Sequence, residues 1–339
     1  MKPFLNLNLK NVTELEMQSI YEKIKTPYKY GPVMKMPEDL TDSPSVFFYN
    51  GKWYMYFISI SKDCSISGYE THLAVSDDLL NWEKIDTIFR RNDENRWDSK
   101  QCAGYAALMN IDFGGSNTLS DIDGKYYISY LAGNSDGYEP DPLYMGLAWS
   151  SSPIKEFKRF ENPILKPEDS DARENEKKTL YRSFIFEDKA KITDHKYVNV
   201  YNAKPFDDRE RIFLAVSNDG ENWERYGDKP VIDETIDNSD LRISGDAQIV
   251  KIDDIYVMMY FRHIPGKATY DTFACSRDLV NWTRWNGEPL VKSSEPWDNH
   301  YAHKPWVIKH NDIVYHFYCA CNKDGERFIA LATSQNLKA

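Results

Sequence analysis

No strongly basic run occurs in this sequence, and acidic residues outnumber basic ones by 53 to 42, a formal charge of −11. Nucleic-acid binding needs clustered cations to neutralise phosphates, so that class is excluded; a neutral or cationic small substrate fits better. No apolar run approaches the length of a membrane span. The N-terminal stretch MKPFLNLNLKNVTELE lacks the apolar centre of a signal peptide. A cytoplasmic protein is therefore expected, or a periplasmic or secreted one if a signal has been trimmed. Cysteine is sparse. Cys64, Cys102, Cys275, Cys319 and Cys321 form an odd, scattered set that argues against a disulfide scaffold. The absence of any CxxC pair argues against a zinc site. Cys319 and Cys321 lie two apart in a strand-like run, so both should point to one face.

Aromatic residues are abundant, at 14% with 23 Tyr and 9 Trp, and hydrophobic residues make up 41%. Such a chain can bury a core, and its aromatics suit both strands and sugar-stacking surfaces. Most of them recur in a pattern. NGKWYMYFIS (from Asn50), DGKYYISYLA (Asp123), DHKYVNVYNA (Asp194), DIYVMMYFRH (Asp254) and NDIVYHFYCA (Asn311) each read as a turn followed by an alternating aromatic strand. A short apolar strand precedes each: PSVFF, SNTLS, SFIFE, AQIVK and KPWVIK. A third element follows, with a shared serine at Ser76, Ser150, Ser217, Ser276 and Ser334, and Asn-Trp at a fixed offset at Trp82, Trp223 and Trp282. A fourth strand with Pro and β-branched residues comes next in NPILKP, KPVIDE and EPLVKS.

Four antiparallel strands recurring at intervals of about 60 to 75 residues are the unit of a propeller blade, and five units predict an all-β, five-bladed β-propeller. The last copy stops before a fourth strand. Residues near Gly31 to Lys35 are predicted to supply it, closing the ring and hiding an edge. Ahead of them, Thr13 and Glu16 form a capping-box pattern, and Val12, Met17, Ile20, Tyr21 and Ile24 form a helical stripe. A single helix ended by Pro27 is expected, packed on the outside of the propeller or presented to a partner. The chain thus divides into an N-terminal helical arm, 1–30, and a propeller, 31–339.

The first strand of each blade lines the channel, so residues entering those strands converge on one pocket. Aligning the repeats on the second strand places Asp42, Ser116, Asp246 and His303 there, with Arg182 or Ser183 in the third blade. Either aspartate alone can simply open a strand through a local turn bond. Two carboxylates and an imidazole facing one funnel match what glycosidic hydrolysis needs: one group to deprotonate water, another to protonate the leaving oxygen.

The phrases DSPSVFFYNGKWYMYF and LAVSDDLLNWEKI resemble glycoside hydrolase family 43, over about residues 30 to 339, with families 32, 117 and 130 as relatives of the same fold. The resemblance implies an inverting, exo-acting xylosidase- or arabinofuranosidase-like glycosidase, with Asp42 as general base. Asp246 stands near the place of the family's acid, as acid or as tuner of its pKa. His303 is the alternate acid, a positioner, or the holder of a central calcium through water; no organic cofactor is implied. Ser116 and Arg182 occupy the candidate positions of the third family carboxylate. Likeness to the family 130 phosphorylases adds a phosphate patch of Arg182, Lys204, Arg262, His263 and Lys304. A propeller that only binds carbohydrate is the remaining alternative.

Rim candidates are Glu70 and Glu139, each in a GYE triplet before a third strand, and Asp98, Gln101, Asp298, His300 and Lys304 from the segments WDSKQCAGY and WDNHYAHKPW. Trp97 and Trp297 are candidates for stacking on a sugar face. The expected partner is an oligosaccharide, with no nucleic acid and no membrane, and the protein is a monomer or a homodimer.

Overall fold

A computed structural model describes residues 11–338, apart from the side chain of Cys64. Residues 1–10 of the expected arm lie outside the described residues. The chain opens with helix α1 (Glu14–Ile24), then β1 (Tyr28–Met34). The first blade is β2 (Asp39–Tyr49), β3 (Lys52–Ser61), β4 (Glu70–Ser76) and β5 (Glu83–Phe89). The second is β6 (Gln101–Ala106), β7 (Tyr126–Gly133), β8 (Tyr144–Ser150) and β9 (Lys158–Arg159), and the third is β10 (Thr179–Glu187), β11 (Tyr197–Lys204), β12 (Arg211–Ser217) and β13 (Glu224–Tyr226). The fourth holds β14 (Ile243–Ile252), β15 (Ile255–Ile264), β16 (Ala268–Ser276), β17 (Thr283–Arg284) and β18 (Val291–Lys292). The fifth is β19 (Tyr301–His310), β20 (Ile313–Cys321) and β21 (Arg327–Thr333), completed by β1, which pairs antiparallel with β21. The first strands touch one another in a closed circle, β2 to β6 to β10 to β14 to β19 and back to β2, and so surround the axis.

The repeated residues make repeated local bonds. Asn50-Gly51 carries positive φ at both positions, the backbone of a tight hairpin turn whose twist matches the flanking strands. The serine and Asn-Trp signature is a capped turn. Ser76 Oγ accepts from Leu79 N, Asp78 Oδ1 accepts from Asn81 N, and Trp82 Nε1 donates to Leu79 O. Ser217 with Trp223, and Ser276 with Asp278, Asn281 and Trp282, repeat the motif. The aromatic strand places Tyr130, Tyr201, Tyr260 and Tyr318 at one position. Each hydroxyl donates to a buried carboxylate ahead of its blade: Asp98 (2.8 Å), Glu176 (2.9 Å), Glu234 (3.1 Å) and Asp298 (2.9 Å). A cation from the fourth strand of the same blade completes each set: Arg159, Arg225, Arg284 and Lys29. In the first blade Tyr56 donates instead to the carbonyl of Pro153.

Three expectations need correction. The inner strand of blade two is β6, not SNTLS. Leu108 to Ser120 forms an insertion that crosses the lower end of the channel, bonding to Ile185, Lys251, Lys309 and Phe48. Next, the fourth strands β9, β13 and β17 start directly after the capped turn. The predicted stretches lie further along and pair only locally with the third strand, as in Leu165 with Met145, Ile232 with Ile212 and Lys292 with Tyr270. The third concerns the boundary of the arm: β1 starts at Tyr28, so the ring-closing strand begins inside the expected 1–30 segment.

Helix α1 has the expected capping box, Thr13 with Glu16, and stops before Thr26-Pro27. Met17, Ile20 and Ile24 bury against Ile252, Val257, Phe273 and Val314 on the outer side of blades four and five. Tyr21 stacks on Trp285 at 4.9 Å. The apolar stripe is spent on the propeller itself. No described helix is long and apolar enough to cross a membrane.

Candidate active site

Four of the five inner strands bulge at the same level. Extra residues stand between Asp42 and Ser45, Leu180 and Ser183, Gly245 and Gln248, and His303 and Trp306. Ser43, Asp246 and Lys304, each the first residue of its bulge, have positive φ. A bulge re-aims the side chain beside it, and here it turns groups toward the axis. The registers also correct the sequence alignment by one residue. Asp42 is equivalent to Gly245 and His303, whereas Asp246 is equivalent to Lys304.

Above the bulges lies a cavity of about 160 Å³. Asp246, His303, Lys304 and Glu139 line it, as do Glu210, Arg327 and Tyr138, which the repeat pattern did not single out. Asp42 sits beneath it, fully buried and fully occupied. Its Oδ2 accepts from Lys304 Nζ (2.9 Å) and Arg327 Nη1 (3.0 Å), and its Oδ1 accepts from Ser43 N (2.7 Å) and Ser43 Oγ (3.3 Å). Burial alone would raise its pKa, but the Lys304 and Arg327 cations hold it far below the usual carboxylate range. Arg182 is also buried below the cavity, with Nη1 3.7 Å from Asp246 Oδ2 and its guanidinium between the rings of Tyr105 and Trp306.

Glu210 has the opposite environment. It is 9% exposed, and its Oε2 accepts from Asn202 Nδ2 at 2.6 Å. Burial, then the charges of Glu139 and Asp246, push its pKa up to about 8. Burial likewise raises Asp246, against the pull of Lys304 and Arg182. Glu139 is half-buried and accepts from Tyr69 Oη at 2.8 Å. Its loop is held by Gln101, whose Nε2 donates to the carbonyls of Ser135 and Gly137. His303 is driven down to about 3 by burial and by Lys304, so it is neutral and has no proton to give as an acid near neutral pH. Its neighbours also do not suit calcium, which takes oxygen ligands: they are the cations Lys304 and Arg327 and the thiols Cys319 and Cys321.

Other expected site residues fall elsewhere. Ser116 is exposed on the insertion at the lower end of the channel, bonded to Thr118 Oγ1. The missing alignment signal was this insertion, which displaced the second-blade register. Glu70 lies outside the cavity lining and accepts from Arg91 N. Trp97 stacks on Tyr130 and donates to Glu161 O, while Trp297 donates to Tyr318 Oη. Both tryptophans are packing residues. His300 is exposed and stacks on Tyr301, whose ring lines the cavity. Asp98 and Asp298 belong to the Tyr–carboxylate–cation sets. The expected phosphate patch is dispersed: Lys204 faces Asp141 and Asp208, and Arg262 faces Glu234. Glu210 did carry a signal. It stands at the same offset before Ser217 as Thr269 before Ser276 and Arg327 before Ser334, and all three line the cavity.

No family model and no curated protein matches the chain. Solved structures do. One described as "Glycoside hydrolase" is 39% identical, with 96% of this protein and 97% of that one covered and a TM-score of 0.90. Another, described as a complex of BT0996 and RGII, is also 39% identical over the same shares, with a TM-score of 0.91. A thermostable family-43 glycoside hydrolase shares the fold at 16% identity, covering 92% of this protein and 97% of that one, with a TM-score of 0.63.

Proposed function

Because the chain belongs to the five-bladed propeller glycoside hydrolases, we propose that this glycosidase removes a terminal sugar, with Glu210 as general acid and Glu139 as general base. The observation that carries the assignment is the contrast between two carboxylates on one cavity wall. Glu210 is buried and holds its proton to about pH 8; Glu139 is half-buried, reachable by water and bonded by a phenol. Paired carboxyls with environments this different divide acid and base work between them.

In this scheme Glu210 protonates the leaving glycosidic oxygen. Glu139 takes a proton from a water attacking the anomeric carbon on the opposite face, and the configuration inverts. Asp246 adds the negative charge that keeps the Glu210 proton in place. Asp42 is assigned a different task from the base that family resemblance implies. All its lone-pair directions are taken, and it fixes Lys304 and Arg327 at the cavity floor. The closed cavity, walled by Tyr138, Tyr181 and Tyr301, has room for one ring-sized group and not a passing chain, which supports exo action. The 39%-identical structure described as an RGII complex supports an oligosaccharide of that kind as substrate.

The test is to incubate the enzyme with RGII-derived oligosaccharides and follow the products by proton NMR. Release of one terminal sugar, first seen as the inverted anomer, supports the scheme. Internal cleavage overturns the exo assignment, and a retained anomer makes Glu139 a nucleophile. A strict requirement for phosphate would mean a phosphorylase.

A further inference from the structure

Directly beneath the cavity the fifth blade gathers three metal-ligating side chains that the scheme above does not use as such. His303 on β19 pairs across the ladder with Cys319 on β20, and Cys321 follows two residues later, so the three share one face. All three are buried, and their ligating atoms lie within 4.8 Å of one another. Both thiols are free.

We propose that His303, Cys319 and Cys321 form a binding site for a thiophilic d¹⁰ dication of the zinc and cadmium type. The imidazole is already arranged as a ligand. Its Nδ1 lies 3.1 Å from the carbonyl oxygen of Cys319. A carbonyl can only accept, so Nδ1 carries the hydrogen and Nε2 keeps its lone pair. A backbone carbonyl that takes the far N–H is the usual support of a metal-bound histidine. Two sulfurs and one imidazole nitrogen match borderline and soft cations, not calcium or magnesium. Tetrahedral geometry with Zn–S of about 2.3 Å brings sulfurs to about 3.8 Å apart, so side-chain rotation must close the cluster by about 1 Å at most.

The two strands carrying the ligands are paired through this region, which fixes their spacing. His303 and its neighbour Arg327 also line the cavity. The cavity therefore gives the ion a way in and leaves a fourth position open to water. Each cysteine gives up its proton to solvent on binding, and no electron moves.

The test uses the intact protein and needs no glycoside. Loaded with one equivalent of Zn²⁺, it is measured by X-ray absorption fine structure. Two sulfurs at about 2.3 Å with nitrogen or oxygen at about 2.0–2.1 Å support the site. A shell of only nitrogen and oxygen overturns it. In parallel, Cd²⁺ is titrated while the ultraviolet band of the cadmium–thiolate bond is followed. Saturation at one equivalent, with at least a tenfold loss of affinity in Cys321→Ser, supports the site. A band unchanged in that variant, or no band in the wild type, overturns it. If Cys321→Ser does not fold, Cys319→Ala takes its place, and the wild-type absorption shell still decides.

Discussion

Two sets of buried carboxylates sit in this propeller, and their surroundings separate structure from chemistry. Asp98, Glu176, Glu234 and Asp298 lie inside the blades, each bonded by a tyrosine hydroxyl and faced by a fourth-strand cation. Glu139, Glu210 and Asp246 line the cavity, and there the carboxylates push against one another. A buried charge with its own cation is quiet; buried carboxyls that share one space cannot all ionise, and one keeps a proton usable in catalysis. Asp42 complicates the division. By position it belongs with the cavity, but its bonds to Lys304, Arg327 and Ser43 resemble those of the blade-interior set.

The largest effect is expected at Glu210. Glu210→Gln should lower turnover by about 10²- to 10⁴-fold while circular dichroism stays unchanged. Turnover within tenfold of wild type would break the division at its centre. The opposite outcome is expected inside a blade. Glu176→Gln leaves Arg173 and Arg225 without their shared carboxylate, at a cost of about 3–5 kcal/mol in urea unfolding. The folded fraction should keep its KM.

Asp42→Asn decides which set Asp42 joins. As an anchor, its loss should destabilise the fold by about 2–3 kcal/mol, because two cations lose their partner. Its folded pKa is depressed below the ordinary 3.8. The stabilisation is therefore complete above that pH and lost as pH falls through the folded value, so melts of the two proteins should converge in acid. Unchanged stability, together with loss of the acidic limb of the rate profile, would return Asp42 to the role of base.

A finer test concerns coupling. The wild-type rate should decline as pH rises through about 8, where Glu210 loses its proton. Carbon-13 NMR of Glu210 should show that value falling in Glu139→Gln, since a neighbouring negative charge is removed. An unmoved titration would disconnect the two carboxyls. The smallest effect belongs to Ser116→Ala on the lower insertion, with stability within about 0.5 kcal/mol and unchanged turnover.

Much of this is legible in the residues alone. The hairpins, the serine and Asn-Trp turns, the closing strand and the capped helix follow from local pattern. His303 and Asp246 follow from repeat position, and Lys304 and Glu139 from the segments that lead into their blades' strands; all four meet at one cavity. Ser116 is misplaced by repeat alignment because an insertion between β6 and β7 breaks the spacing that the alignment assumes. Trp97, Trp297, Asp98 and Asp298 look like rim groups because loop residues give no sign of which side they pack on. Glu210 escapes a reading centred on the inner strands, although its offset from Ser217 repeats that of Arg327 from Ser334.

By itself the sequence determined the five-fold repeat, the strand order and the closure of the ring, because turn chemistry and period-two alternation act between near neighbours. Only the tertiary structure decided what each carboxylate is for. Lys304 and Arg327 reach Asp42 from more than 260 positions away along the chain, and Glu139 and Asp246 reach Glu210 only across the channel. Charge interactions depend on distance in space and on burial, and neither is written in the order of residues.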